Sequence, residues 1–386
     1  MARRRRSRPH VALIVESSIE YGRGVLRGIA RWLRGHGPWS LFLEQRELGA
    51  ALPDWIREWD GDGIITRSDD PRIATRGLPT VGLYDRAEDR LRLPMILNDN
   101  LAVGRMAAQH LADRGFRHLA YYGVRGERWS ELRLEGAAQA ARAAKATLAV
   151  HPSGGRWEAS QERLKRWILG LPRPLGLVAA NDLHGLRALD ACRRAGVAVP
   201  EQVAVVGADD DAEVCELSDP PLSSVAFNPE RVGFEAAALL DRLMARKARP
   251  RGPFLVPPLA VSTRQSSDIL AIDDADVAKA VHYIRRHAFE GITVQDVLDE
   301  VPLSRRALEH RFRRRLGRTP KEVIQRLRLD EAKNLLASTD LPLARISDRL
   351  GFHQPAYLSA VFKASEGLVP SEYRRRYGRS VATDAR

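Results

Sequence analysis

Between residues 304 and 316 the chain sets Arg305, Arg306, Glu309, His310 and Arg313 around two apolar side chains, Leu308 and Phe312. At 3.6 residues per turn the apolar pair faces a core and the polar residues face away. An arginine fork matches phosphate oxygens or the O6 and N7 edge of guanine, so such a face is equipped to hold DNA. Arg306 and His310 are four apart on one face and are assigned to base edges, with Arg305 and Arg313 assigned to phosphates. Fifty residues on, Leu308, Phe312, Arg313, Gly317, Pro320 and Glu322 are answered by Leu358, Phe362, Lys363, Gly367, Pro370 and Glu372. Upstream, Val297, Leu298 and Val301 are matched by Ile346, Ser347 and Leu350 at an offset of 49. In the second copy Leu358 and Phe362 turn inward, leaving Gln354, Ala356, Ser359 and Ala360 toward DNA. Such small side chains lean on DNA shape and thymine methyls. A helix, a turn and a second helix, repeated and rich in arginine, is built to read DNA in two adjacent places.

Those two reading helices need to be held apart. Arg318 to Ser338 carries Val323, Ile324, Leu327, Leu335 and Leu336 at helical spacing, with Thr319-Pro320 as a good start. As one helix rising about 1.5 Å per residue it forms a strut, placing the two readers about one DNA turn apart. One subunit then covers two successive major grooves.

Charge agrees with this reading. The 386 residues carry a net +13, and from Asp274 onward 22 Lys/Arg oppose 15 Asp/Glu, which points to a polyanionic partner. The two cysteines, Cys192 and Cys215, allow neither a disulfide framework nor a four-cysteine zinc site, and no metal or cofactor is expected. No apolar run reaches the ~18 residues of a membrane span. The run Val11 to Val15 after the basic start is too short for a signal peptide, so the cytoplasm is the expected location.

The first 265 residues alternate short apolar strands with helical stretches. Val11 to Val15, Trp39 to Leu43, Gly63 to Ile65, Thr80 to Leu83, Met95 to Leu97, His118 to Tyr122, Thr147 to His151, Gly176 to Ala179 and Val203 to Val206 read as strands. Gly24 to Leu33, Asp54 to Trp59, Arg72 to Arg76, Leu101 to Arg114, Glu131 to Lys145, Ser160 to Leu169 and Leu183 to Ala195 read as helical. That rhythm is the mark of parallel βαβ units, and so many strands suit two lobes better than one sheet. Proline-rich segments around Pro220, Pro229 and Pro257 suit crossovers between the lobes. Thr263 to Asp276 is polar without pattern and reads as a linker. Gly22, Gly24 and Gly28, with Glu44 after the second strand, loosely imitate a dinucleotide fingerprint. Glu16 to Tyr21 intervene, however, and the last spacing is wrong for a phosphate turn. No Walker A, His-Glu-x-x-His or Gly-x-Ser-x-Gly sequence is present, and a nucleotide-dependent enzyme is a distant alternative.

The segments LSRRALEHRFRRRLGRTPKEVI and ARISDRLGFHQPAYLSAVFKASEGLVPSEYRRRYG resemble the AraC/XylS-type DNA-binding domain. Gly351-Phe352, Phe362-Lys363, Gly367, Pro370 and Tyr373-Arg374 carry the likeness. Pro302 departs from it: it stands where the family has a glycine, so the first turn must close differently. WSELRLEG, VAANDLHGLRAL and VAVVGADDDAE with PPLSSVAF resemble the LacI/periplasmic-sugar-binding fold, without its small DNA-binding headpiece. That likeness implies a ligand cleft lined by Arg133, Asn181, Asp182 and Asp209, with Ser17, Tyr21, Arg128 and Trp129 completing its wall. Asp209 is flanked by Asp210 and Asp211, and three like charges cannot share one dry cleft. The order of domains, together with HYIRRHAFEGITVQDVLDEV and GERW, resembles the xylose operon regulators.

The expected architecture is therefore an α/β two-lobed, periplasmic-binding-protein-like domain followed by an all-α domain with two helix-turn-helix units. Its bounds are a basic tail at 1–9, a sensor at 10–265, a linker at 266–276, a DNA-binding domain at 277–378 and a tail at 379–386. The expected function is transcription regulation by a homodimer that binds double-stranded operator or promoter DNA. A small sugar controls it, D-xylose or another pentose, with a sugar acid or sugar phosphate as the alternative. RNA polymerase is a further partner if the protein activates.

Overall fold

The computed structural model describes residues 8–45, 47, 51–68, 70, 72–73, 77–84, 93–153, 157–247, 252–269, 274–352 and 354–378. The basic tail up to residue 7, the tail from 379 and part of the expected helical stretch Arg72 to Arg76 lie outside them. In chain order the elements begin β1 (His10–Ile14), α1 (Glu20–His36), β2 (Ser40–Leu43), β3 (Gly63–Thr66), β4 (Thr80–Gly82), β5 (Ile96–Asn98), α2 (Asn100–Ala112) and β6 (His118–Val124). They continue with α3 (Arg128–Ala143), β7 (Thr147–Ser153), α4 (Trp157–Leu169), β8 (Leu175–Ala179), α5 (Asp182–Arg194), β9 (Val203–Asp209), α6 (Ala212–Leu217), β10 (Ser223–Ala226) and α7 (Pro229–Met244). Then come β11 (Phe254–Val256), β12 (Val261–Ser262), α8 (Ala275–His287), α9 (Val294–Asp299), α10 (Arg305–Leu316), α11 (Pro320–Ser338), α12 (Leu343–Arg349), α13 (Pro355–Glu366) and α14 (Pro370–Tyr377).

Two compact units result. The first comprises Met1–Asp99, Gly126–Trp129 and Phe227–Pro258. Its strands run in the order β2-β1-β3-β4, all parallel, with a parallel β5–β11 pair joined to β4 through the bridge between Gly82 and Met95. Alternation along β1 sends Val11 and Leu13 to one core and Ala12 and Ile14 to another, so both faces of the sheet are covered. Pro229 and Pro257 flank points where the chain passes between units, as expected. Pro220 does not: it lies inside the second unit, in the loop entering β10.

The three glycines that imitate a dinucleotide fingerprint do different work. They lie within α1, and a Cβ on Gly24 would fall 2.5 Å from the Pro229 ring, while one on Gly28 would fall 2.0 Å from Glu230 O. Gly233 reciprocates at 2.0 Å from Val25 O. Gly24, Gly28 and Gly233 let α1 and α7 pack backbone against backbone, Gly22 passes close to Glu16 O, and no phosphate turn follows β1.

The second unit comprises Asn100–Arg125, Ser130–Ala226 and Leu259–Arg386. Its sheet runs β12-β10-β9-β8-β6-β7, parallel except for β12. The polar stretch expected to be a linker is buried at its start. Ser266 and Ser267 are fully buried, with Ser266 Oγ donating to Val205 O at 2.7 Å and Arg114 Nε donating to Ser267 O at 2.9 Å. Residues 270–273 lie outside the described set, and α8 begins beyond them, capped by Asp274.

The C-terminal helices hold two separate apolar cores. Val277, Ile284, Val297, Leu308, Phe312 and Ile324 form one, and Leu336, Ile346, Leu350, Leu358, Phe362 and Tyr373 the other. Helix α11 contributes to both. The repeat is thus physical at each position. Leu308 and Leu358, Phe312 and Phe362 are all fully buried, and Gly317 and Gly367 end their helices at φ 72° and 75°. Pro320 and Pro370 open the following helices, where Glu322 and Glu372 accept from the Thr319 and Val369 N–H groups at 2.7 and 3.3 Å.

Candidate functional site

In the second unit the expected sugar residues gather at the C-terminal ends of β8 and β9, where open α/β sheets bind their ligands. Arg133 is buried on α3; its Nε donates to Asn100 Oδ1 at 3.0 Å and its Nη1 to Ala180 O, with Asp209 Oδ1 3.8 Å away. It is fixed by a close crossing of α2 and α3, since a Cβ on Gly104 would fall 1.7 Å from Arg133 O. Asp209 and Asp210 have φ of 125° and 53°, conformations that cost non-glycine residues energy and cluster at functional sites. β9 runs three residues past the expected Val206, carrying Asp209 to the strand tip.

The three consecutive aspartates part company, as like charges must. The Asp209 side chain is 35% exposed and stays beside Arg133. Asp210 pairs with Arg264 at 2.8 Å, and Asp211 caps α6 through Val214 N at 3.2 Å. Asn181 caps α5, its Oδ1 accepting from His184 N at 2.9 Å and lying 2.7 Å from His184 Nδ1. Burial holds the His184 ring down to about 4, so it is neutral near pH 7. Asp182 is buried beneath these groups. Its carboxylate accepts from Ser224 Oγ at 2.5 Å and from Asp211 N at 2.9 Å, and burial pushes its pKa up. It braces the ends of β9 and β10.

In the first unit Tyr21 lies on α1, and its hydroxyl accepts from Asn98 Nδ2 at 3.1 Å. The Phe227 ring stands edge-on at 6.3 Å, and Arg67 lies over the Tyr21 ring at 4.9 Å while pairing with Glu16 at 3.1 Å. Ser17 is half-buried and its carbonyl accepts from Arg23 at 3.4 Å. Arg128 and Trp129 open α3, which starts three residues before the expected Glu131; Trp129 Nε1 donates to Glu127 at 3.0 Å. Asn98, Phe227 and Arg67 had no signal in the sequence, because only the fold brings these distant positions around Tyr21.

On the DNA side, α10 exposes Arg305, Arg306, His310 and Arg313. Glu309 is half-buried and pairs with Arg305 at 3.3 Å. Around Pro302 the first turn closes with Leu303 N donating to Val301 O at 2.8 Å, and among its described residues none has a positive φ. The second turn uses Gly351 at φ 66°. On α13, Ala356 and Ala360 are exposed, Ser359 is half-buried and exposed Gln354 precedes the helix. Tyr357 on the same helix is half exposed, beside the buried Leu358. Asp113, just past α2, accepts from Arg318 and lies 3.2 Å from Arg326, while Arg117 donates to Arg315 O. The sensor is thereby tied to the end of α10 and to α11. Among the described residues no group of three His, Cys, Asp or Glu is placed to hold a metal ion, and no helix is long and apolar enough to cross a membrane.

Comparison with known proteins covers both regions. Residues 108–267 match a periplasmic binding protein-like domain and residues 297–376 a helix-turn-helix domain. The chain is 34% identical to the xylose operon regulatory protein of Escherichia coli (strain K12), over 95% of this chain and 97% of that protein. It is 31% identical to the xylose operon regulatory protein of Haemophilus influenzae (strain ATCC 51907 / DSM 11121 / KW20 / Rd), over 94% and 97%. A solved xylose-binding transcription activator, xylR, superposes with a TM-score of 0.61 at 32% identity, covering 96% of this chain and 99% of that one.

Proposed function

The chain belongs to the family of xylose operon regulatory proteins, and from that premise we propose that it answers to D-xylose or another pentose. It is a sugar-sensing, DNA-binding transcription regulator. The observation that carries the choice of sugar is full-length likeness to relatives named for xylose, 97% of the Escherichia coli protein being matched through both modules. In the second unit the sugar's proposed contacts are Arg133, Asn181 and Asp209; in the first unit, taken by itself, Ser17, Tyr21, Arg128 and Trp129 are the candidate ligand residues. Asp182 acts from beneath, through its hold on Ser224 and the Asp211 backbone. Carboxylate and amide oxygens accept from sugar hydroxyls, Arg133 donates, and the aromatic rings cover C–H faces. A neutral sugar suits the site better than a sugar acid or phosphate, because an anion would meet the Asp209 carboxylate beside Arg133.

DNA is read by α10 and α13, with two subunits acting as a dimer in the cytoplasm, RNA polymerase as partner if the protein activates, and no catalytic role. The ligand must favour one conformation over another to have any effect. The contacts of Asp113 and Arg117 with Arg315, Arg318 and Arg326 support a direct route from sensor to reader.

A thermal-shift panel of pentoses, hexoses and sugar acids tests the assignment, since a ligand at 100 times its Kd stabilises the native state by about 2.7 kcal/mol. D-xylose should give the largest shift. Arg133→Ala and Asp209→Ala should each weaken binding by about 1.5–3 kcal/mol by calorimetry. Unchanged affinity in both variants would move the site elsewhere.

A further inference from the structure

Arg328 stands in the middle of α11, and its guanidinium reaches both helix-turn-helix units at once. Nε donates to Ala288 O at 2.6 Å and Nη2 to Ile292 O at 3.0 Å, the two sides of the turn joining α8 to α9 in the first unit. The same cation lies 5.6 Å from the centre of the Phe352 ring, which follows the turn of the second unit. Beside it the two turns meet through bare backbone. A Cβ on Gly351 would fall 2.3 Å from Gly291 N and 2.8 Å from Phe289 O. Both glycines are left-handed, at φ 83° and 66°, so neither position tolerates a side chain easily.

A helix alone is an incomplete spacer. It fixes a distance along its axis, but long helices bend, and the units at its two ends can then rotate relative to each other. The Arg328 clamp and the Gly291–Gly351 contact add a second connection off the helix axis. Charge-assisted hydrogen bonds to carbonyls left open at a helix end are well suited to hold it. We infer that Arg328 is a positioning residue which, with the glycine contact, sets the angle between α10 and α13 and therefore the groove spacing the protein accepts on DNA. This rests on α10 and α13 being the groove-entering helices.

A spacing series with the full-length protein tests it. A duplex selected from a random library by the wild-type chain is rebuilt with one or two base pairs inserted between its two protected grooves. Each insertion turns the second groove by about 35°. Wild type should lose about tenfold in affinity per insertion, comparable with a mismatched base pair. Arg328→Met should bind the parent duplex more weakly yet lose only about threefold per insertion, because its units can rotate to follow the groove. Arg328→Lys, which keeps a cationic donor, should fall between the two. Gly351→Ala, which forces the turns apart, should flatten or displace the spacing optimum.

An Arg328→Met protein that keeps the wild-type penalty at every spacing overturns the inference, since loss of a purely stabilising residue lowers melting temperature and all affinities alike. If circular dichroism shows Arg328→Met to be unfolded, Gly351→Ala decides, and an unchanged optimum and penalty in that variant overturns it as well. Protection of a single groove by the wild-type chain overturns instead the reading on which the inference rests.

Discussion

The two helix-turn-helix units share a frame and divide their charge in opposite ways. In the first, the reading helix α10 carries six arginines and one glutamate, while its supporting helix α9 carries Asp296 and Asp299 and no basic residue. In the second, α13 is balanced, with Lys363 against Glu366, and the supporting helix α12 carries Arg345 and Arg349 against the single Asp348. In such motifs the second helix enters the groove while the first crosses the backbone. On the proposed reading the first unit therefore grips and reads through one helix, and its acidic support stays off the phosphates. On the same reading the second unit grips through its support and offers the groove Gln354, Ala356, Tyr357, Ser359 and Ala360. A duplicated fold has been kept for its core and has diverged in what it presents to DNA.

Removing the shared core should cost both units alike. Phe312→Ala and Phe362→Ala should each destabilise their unit by about 3–5 kcal/mol, measured by denaturation with hydrogen exchange on α10 and α13. Very unequal costs would break the equivalence of the frames. The divergence should appear next. Arg306→Ala should cost about 1–3 kcal/mol in DNA affinity and relax preference at one base pair, whereas Ser359→Ala should leave every preference nearly intact. Library selection with each variant checks this, and a sharper loss from Ser359→Ala would reverse the ranking of the two readers. Arg345→Ala should weaken all sequences alike and lower the log–log salt slope by about one, as loss of a phosphate contact does. An unchanged slope would remove α12 from the backbone. The smallest effect belongs to the helix ends. Gly317→Ala and Gly367→Ala meet no atom within 4 Å, so each should cost only the backbone strain of about 1 kcal/mol.

This comparison also shows how far the sequence could be read. Leu308, Phe312, Gly317, Pro320 and Glu322 recur with their partners because each position meets a local requirement: a core face, a left-handed end, a helix start, a cap. Local requirements are visible in spacing. Pro302 announced a turn of another kind for the same reason, and the Leu303–Val301 bond supplies it. Asp182 was harder to read. Its partners Ser224 and Asp211 come from β10 and the loop after β9, 42 and 29 residues away, so its burial has no local signature. The Gly22, Gly24 and Gly28 pattern misleads in the same way, since Gly24 and Gly28 answer to α7, two hundred residues on, and only Gly22 to a near neighbour, the Glu16 backbone. Around Tyr21, Asn98 and Phe227 are equally remote, and only the sheet order unites them.

In the proposed mechanism a sugar bound by the N-terminal region changes how these two unequal readers hold DNA. Fluorescence anisotropy of a selected duplex, with and without saturating D-xylose, tests it directly in the wild-type chain and in Asp209→Ala. The wild type should change its DNA affinity by about 5–150-fold on adding the sugar, the usual span of coupling between two sites. Asp209→Ala should keep the sugar-free affinity and lose most of the response. Wild-type affinities that stay at the sugar-free value with D-xylose and with every other sugar in the panel would contradict that mechanism.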